Sequence, residues 1–293
     1  MKRKTKLDKK SKWVLDMKFG VSSLVFLPES LTSSMEKIAE HNFDAWEIVC
    51  EGTHYLSPKN IKYLMELRDR YEVEIVVHAP FSDLNPASMN ERVRKLTVEC
   101  IRDAIEGAFE LDSEVVVVHP GYIPELWSNY VSEILDNNFS TLSEIVEIAE
   151  DYGIKIGLEN MPNFRGVLGI TPESLLEIVK DIDSKNLGIT FDIGHANTAG
   201  NPAEFVEKLQ NIGIGIIHVH AHDNNGYDDE HLKIGEGNIN FIEVLEKLKE
   251  IGYDGVISIE NKNIRDAVKS KEILKEYLEI VNEKVAEKEK IEE

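Results

Sequence analysis

Val115-Val116-Val117-Val118-His119-Pro120-Gly121 is a run of four β-branched residues that ends on an imidazole and then on two turn formers. The run is too short for a helix and has no polar alternation. It therefore reads as a strand buried on both faces, which is the character of a parallel sheet covered by helices. Runs of the same kind recur along the chain. They are Phe19 to Leu24, Ala45 to Val49, Glu74 to His78, Val115 to His119, Lys155 to Glu159, Leu187 to Asp192, Ile214 to His220 and Val256 to Glu260. Stretches of helical period separate them, near residues 30–41, 58–70, 88–110, 131–152, 172–182, 202–211, 240–251 and 264–287. No Gly/Ser-rich linker or composition break divides the chain. Eight strands alternating with eight helices predict one α/β domain, a (β/α)8 TIM barrel, over residues 18–287. A basic flexible tail at 1–17 and a charged C-terminal tail at 288–293 would flank it.

Local signals agree with this frame. The third helix carries apolar Val93, Leu96, Ile101, Ala104, Ile105 and Ala108 at helical spacing, with Ser88 expected as its cap. Thr171-Pro172-Glu173 combines a capping hydroxyl, a first-turn proline and an acid near the positive helix end.

Composition narrows the function classes. The 54 acidic residues outnumber 33 basic ones, giving a net charge of -21. An acidic surface gains nothing from counterion release off a phosphate backbone, so DNA is a disfavoured partner without a local basic exception. Cys50 and Cys100 are too few for a disulfide framework and read as small buried apolar residues in a reducing cytoplasm. The opening MKRKTKLDKKSKW lacks the apolar run of a signal peptide, and no stretch reaches the roughly 18 apolar residues of a membrane span.

In a barrel of this kind the reacting groups sit where strands end and βα loops begin. Strands three to eight end on His78, His119, Glu159, Asp192 (followed by His195), His220 and Glu260. A lone strand-end histidine is an ordinary packing residue. Six chemistry-bearing residues in succession would converge on one mouth about a small molecule wide. Massed imidazoles and carboxylates perturb one another's protonation, and a divalent cation removes that cost. Nitrogen and oxygen donors without thiolates suit Zn2+ or Mn2+. Four of the nine histidines lie between Ile216 and Gly237, in IIHVHAHDNNGYDDEHLKIGEG. His218 and His222 share the side of His220 by period two, but a strand rises about 3.3 Å per residue, so both cannot reach the same ion. His218 is assigned to the packed interior, and His222 lies either beside the ligands or exposed. His41 and His54 match no motif.

The barrel, Leu158-Glu159-Asn160, the Asp192-x-x-His195 pair, His220 and the closing Glu260 resemble the xylose isomerase-like superfamily, from about residue 18 onward. That superfamily holds sugar epimerases and isomerases together with endonuclease IV. Its epimerase branch implies one metal, such as Mn2+, on Glu159, Asp192, His220 and Glu260, with the two glutamates as acid and base. Its endonuclease IV branch implies up to three Zn2+ on His78, His119, Glu159, Asp192, His195, His220, Asp229, His231 and Glu260. All nine positions carry the matching residue types. Asn160-Met161-Pro162 and Phe191-Asp192-Ile193-Gly194-His195-Ala196-Asn197 look more like the isomerase relatives. The arginine that follows the His220 position in epimerases is absent here.

Charge separates the chemistries. One divalent ion against three carboxylates leaves a site of about -1, tolerable for a neutral sugar; three ions against four carboxylates leave about +2, suited to a phosphate. The expected activity is metal-dependent isomerisation or epimerisation of a sugar or sugar phosphate, by proton transfer between Glu159 and Glu260. An AP endonuclease-like zinc phosphodiesterase is the alternative, and a non-catalytic metal-holding protein the third reading. Asn160, Arg165, Lys233, Lys262 and Trp127 are candidate substrate contacts, the charged ones having solvated surface as their plainer reading. Tyr55, Phe81, Tyr122 and Tyr130 could shape a pocket or pack the loops. The oligomeric state is left open.

Overall fold

A computed structural model describes residues 17–292, with side chains through residue 287. The basic stretch expected to form a tail therefore lies, up to residue 16, outside the described residues. Eight parallel strands close into one barrel in chain order. They are β1 (Lys18–Ser22), β2 (Ala45–Val49), β3 (Glu74–His78), β4 (Val115–Val118), β5 (Lys155–Glu159), β6 (Leu187–Asp192), β7 (Ile216–Ala221) and β8 (Val256–Ile259). The last closes on the first, with Lys18 opposite Val256 and Val21 opposite Ile259. The TIM barrel expectation holds.

Around the barrel run α1 (Leu31–Ile38), α2 (Pro58–Tyr71), α3 (Glu91–Glu110), α4 (Val131–Tyr152), α5 (Pro172–Val179), α6 (Ile193–Ala199), α7 (Pro202–Asn211), α8 (Phe241–Glu250) and α9 (Ile264–Glu292). Thr171 caps α5 in a reciprocal capping box with Ser174. Two expectations need correction. Asn90, not Ser88, caps α3, because its side chain accepts from the Arg92 N–H; Ser88 instead braces the Asn90 N–H. Leu96 is 49% exposed, so the buried stripe of α3 is carried by Val98, Ile101, Ala104, Ile105 and Ala108. Helix α9 runs to Glu292, in keeping with a closing EKVAEKEKIEE read as a helix end. Helix α6 was not foreseen. It is seven residues long and starts directly off β6.

The alternation of side chains along each strand explains how a packed barrel hosts polar chemistry. Ala45, Val76, Val117 and Val256 form their own buried cluster, separate from the main core. Two residues further along the same strands, on the same face, stand Glu47, His78, His119 and Ser258. The apolar layer floors the barrel and the polar layer faces its mouth. Outward-facing Phe19, Trp46, Ile48, Ile156, Leu158, Phe191 and Ile257 join the helix faces in the main core. A register shift between Ile189 and Thr190 sets His218 beside Thr190 and His220 beside Asp192.

Candidate metal centre at the barrel mouth

Glu159, at the end of β5, is the hub of the mouth and is 1% exposed. Its Oε2 lies 3.0 Å from His119 Nε2 and 3.3 Å from His78 Nε2. Its Oε1 lies 3.1 Å from His220 Nδ1. The same His220 nitrogen stands 3.6 Å from Asp192 Oδ2 and 3.9 Å from Glu260 Oε2. Further out, Asp229 Oδ2 is 3.1 Å from His231 Nε2 and 3.4 Å from His195 Nε2. All nine residues anticipated as metal ligands thus lie in one connected cluster.

Backbone carbonyls fix the tautomers. A carbonyl can only accept, so each imidazole nitrogen bonded to one must carry the proton. His78 Nδ1 donates to Ala79 O at 2.8 Å, His195 Nδ1 to Asn160 O at 2.9 Å, and His231 Nδ1 to Glu260 O at 2.7 Å. Each turns its Nε2 toward a carboxylate, so the atom that a metal ion would take, once its proton is released, already points at the oxygen donors. Local structure supplies this order. Asp192 caps α6 by accepting the His195 N–H at 2.6 Å, so one carboxylate both starts the helix and swings His195 over the mouth. His231 holds a φ of 49°, a left-handed conformation unusual for a non-glycine residue and the kind of strain that collects at functional sites. Its loop is anchored by Asp223, which pairs with Leu232 and accepts the Gly235 N–H at 2.8 Å. A Cβ at Gly237 would come within 2.2 Å of Asp223 Oδ1, so the turn after His231 needs glycine there.

The electrostatics match a site built for cations. Burial opposes ionisation of Glu159, yet His220 and His119 hold its carboxyl well below the usual range. Asp192 is likewise depressed, by His195 and His222 against burial. Despite burial, His195 is raised to about 10 by Asp192 and Asp229, and His231 to about 9 by Asp229. Glu260 is pushed the other way, upward, by burial and by Glu47 and Glu159. Buried Glu159 Oε2, Asp192 Oδ2, Asp229 Oδ1 and both ring nitrogens of His222 have no hydrogen-bond partner among the described residues. Orphaned donor atoms converging from several strands are costly unless something binds them. The residues fit a divalent cation: His78, His119 and Glu159, then Glu159, Asp192 and His220, and then His222, Asp229 and His231 each bring one donor atom within 4.8 Å of the others.

Two site residues escaped the sequence reading. Glu47, buried on β2, contacts His218 Nε2 at 2.7 Å and His220 Nε2 at 3.1 Å. It backs the ring whose Nδ1 faces the mouth, a carboxylate–histidine pair of the sort that orients metal ligands. The signal was the alternation of β2, which puts Glu47 two residues past Ala45. Glu47→Gln is expected to weaken zinc binding by about 10- to 100-fold, read by competition with a chromophoric chelator; unchanged affinity would reduce Glu47 to a packing residue. His222 is the second. It is fully buried, not exposed. His54 is also buried, 3.2 Å from both Ser23 Oγ and Ser34 Oγ, where it braces the β1 and α1 ends.

The expected substrate contacts separate. Asn160 is buried and its amide is committed to β6, donating to Asp192 O at 2.9 Å and accepting the Asp192 N–H at 2.8 Å. These two bonds align Asp192. Arg165 pairs with Glu125 at 3.1 Å on the exposed surface, and Lys233 pairs with Glu236 at 2.6 Å. Lys262 is exposed, and Trp127 packs edge-on against Tyr130. Phe81 stacks on His119 with centroids 4.4 Å apart, and with Tyr122 lines a cavity of about 440 Å³ that His119 shares.

The profile of the family described as xylose isomerase-like TIM barrel matches residues 35–283. The chain belongs to this family. An uncharacterized protein of Methanocaldococcus jannaschii is 35% identical over 89% of this chain and 100% of its own length. A D-psicose 3-epimerase of Ruminiclostridium cellulolyticum is 24% identical over 77% of this chain and 76% of its own. A probable endonuclease 4 of Mycoplasmopsis pulmonis is 28% identical over 67% and 71%. A crystal structure described as a D-tagatose 3-epimerase-like protein is 99% identical, with a TM-score of 0.89 over 92% of this chain and 100% of that one. Among the described residues, no helix is long and apolar enough to cross a membrane.

Proposed function

We propose that the protein is a metal-dependent sugar isomerase or epimerase of the 3-epimerase kind. The observation that carries the reading is the approach of Glu159, Asp192 and Glu260 to one nitrogen of His220, at 3.1, 3.6 and 3.9 Å. Two of these three carboxyls are glutamates on separate strands with opposed protonation tendencies. Glu159 is held ionised and Glu260 is pushed toward its neutral form. Environments that drive two carboxyls apart assign an acid and a base. The named epimerases among the relatives and solved structures support the same choice.

Glu159, Asp192, His220 and Glu260 would hold the ion, which when bound supplies Lewis acidity toward the oxygens of a hydroxy-carbonyl substrate. Glu159 takes the proton from the carbon beside the carbonyl, and Glu260 returns one to the opposite face. No net atom is gained or lost, and the two glutamates exchange roles in the reverse direction. Phe81 and Tyr122 offer apolar walls for the sugar's carbon face, and Phe81 also limits water at His119. The exposed or paired state of Arg165, Lys233 and Lys262 favours a neutral ketose over its phosphate.

The test is incubation with zinc or manganese and a panel of free ketoses in deuterated water. Epimer formation with deuterium at the inverted carbon is the expected result; neither epimer nor exchange with any ketose would overturn it. One observation favours a second reading, zinc-dependent phosphodiester cleavage: several overlapping donor groups, not one, lie at the mouth. Cleavage of an abasic-site oligonucleotide, with three tightly held zincs per chain, would establish that reading instead.

A further inference from the structure

We infer that His222 completes a second cation site of four protein donors, His195, His222, Asp229 and His231, joined to the proposed catalytic ion site through Asp192. The inference rests on the metal reading above and adds to it a ligand outside the nine residues that the family resemblance implies.

His222 sits two residues past His220, on the same face of the chain, and is fully buried. Its ring stacks on His231 with centroids 4.0 Å apart. Nε2 lies 3.2 Å from Asp229 Oδ1 and 3.3 Å from Asp192 Oδ1, too poorly aligned to count as hydrogen bonds. Among the described residues, Nδ1 also lacks a partner, as does Asp229 Oδ1. An imidazole buried with both nitrogens unsatisfied is expensive, since each gives up its hydrogen bond to water with nothing in return. The fold nevertheless makes room for it. A Cβ on Gly194 would fall 2.0 Å from His222 Cε1, so the first turn of α6 is bare where the ring lies against it.

Two donor triads meet at His222, one with Asp192 and His195 and one with Asp229 and His231, each with one donor atom per residue within 4.8 Å of the others. His195 and His231 have their Nδ1 protons tied to Asn160 O and Glu260 O, and both Nε2 atoms face Asp229 Oδ2. Three imidazoles and one carboxylate supply the four donors that zinc takes when the protein closes its coordination, whereas catalytic zinc sites keep a position open. The outer ion is therefore held by the protein alone. Asp192 spans the two sites, with Oδ1 toward His222 and Oδ2 toward His220. The outer ion anchors Asp192 and offsets the acidic mouth, while the inner ion meets the substrate. A closed outer site also removes a cation that a phosphodiester would otherwise bind, which joins the inference to sugar chemistry.

The experiment uses the full chain, stripped of metal and then titrated with Zn2+ alone. Zinc per chain and affinity are read by elemental mass spectrometry and calorimetry, and Co2+ substitution reports coordination through its visible absorption. Wild type is expected to bind one more tight zinc than His222→Asn, and the Co2+ spectrum of that ion should show intense four-coordinate bands missing from the variant. Equal zinc numbers with affinities within threefold would overturn the inference. Should the variant not fold, X-ray absorption of zinc-loaded wild type decides: three imidazoles on one ion support the inference, and no ion with more than two contradicts it. Glu260→Gln provides the separating control. Loss of inner-site zinc there with the outer ion retained supports two sites, whereas loss of both ions together contradicts a self-sufficient outer site. Absence of ketose epimerisation would strike only the proposed reaction, because none of these readouts depends on turnover.

Discussion

Glu260→Gln is expected to lower kcat for ketose epimerisation by about a thousandfold, near the middle of the range for a positioned acid–base group, or roughly 4 kcal/mol of barrier. Glutamine keeps the volume and polarity of the side chain but can neither give up nor accept the proton. The fold should tolerate it. Burial and the neighbouring Glu47 and Glu159 already push Glu260 toward its neutral form, so removing the charge relieves repulsion in the metal-free protein. Steady-state kinetics at saturating metal, beside a metal count and a thermal melt, separate proton transfer from metal loss and from misfolding. A variant melting like wild type with kcat reduced less than tenfold would remove Glu260 from proton transfer. Glu159→Gln should be more damaging to metal binding, since Glu159 also faces His78 and His119.

The second large effect is a pH dependence that metal abolishes. Metal-free, the folded protein holds protons on His195 to about pH 10 and on His231 to about pH 9; burial opposes this, but Asp192 and Asp229 outweigh it. An unfolded histidine releases its proton near about 6.5. A group whose folded pKa is raised stabilises the fold fully below the unfolded value and loses that contribution as pH climbs through the folded one. Stability of the stripped protein should therefore fall from about pH 7 to 10. On the acid side Asp192, Glu159 and Asp229 are depressed, so their contribution is present above the normal carboxyl range and lost as pH falls. Bound zinc requires neutral imidazoles, so uptake releases protons and affinity rises with pH. At a free zinc concentration of 100 Kd, binding adds about 2.7 kcal/mol. Melting curves from pH 6 to 10, with chelator and with zinc, should diverge on the alkaline side. Parallel curves would show that the imidazoles do not carry the protons at issue.

Much of this was legible in the chain because a parallel barrel writes itself in short apolar runs. β2, β3, β5 and β6 begin and end where alternation and turn residues predict. The ligand-type residues were legible for the same reason, since a barrel of this kind carries its reacting groups where strands end and βα loops begin. Glu47 was not, because it lies inside β2, and only closure of the barrel brings it to His218 and His220, more than 170 residues away. Asn160 was legible only in part. A polar residue following a catalytic-type glutamate suggests a substrate contact, and no sequence pattern displays the two bonds by which its amide also braces the backbone of β6 at Asp192.

The sequence by itself determined the barrel, its order and the nitrogen and oxygen chemistry of its mouth, because hydrophobic period and strand-end position are local properties. Tertiary structure alone decided the tautomers, the split of protonation between Glu159 and Glu260, and the burial of His222 against Gly194. Each depends on which atoms from distant strands meet within about 4 Å, where electrostatic and packing energies change most steeply with distance.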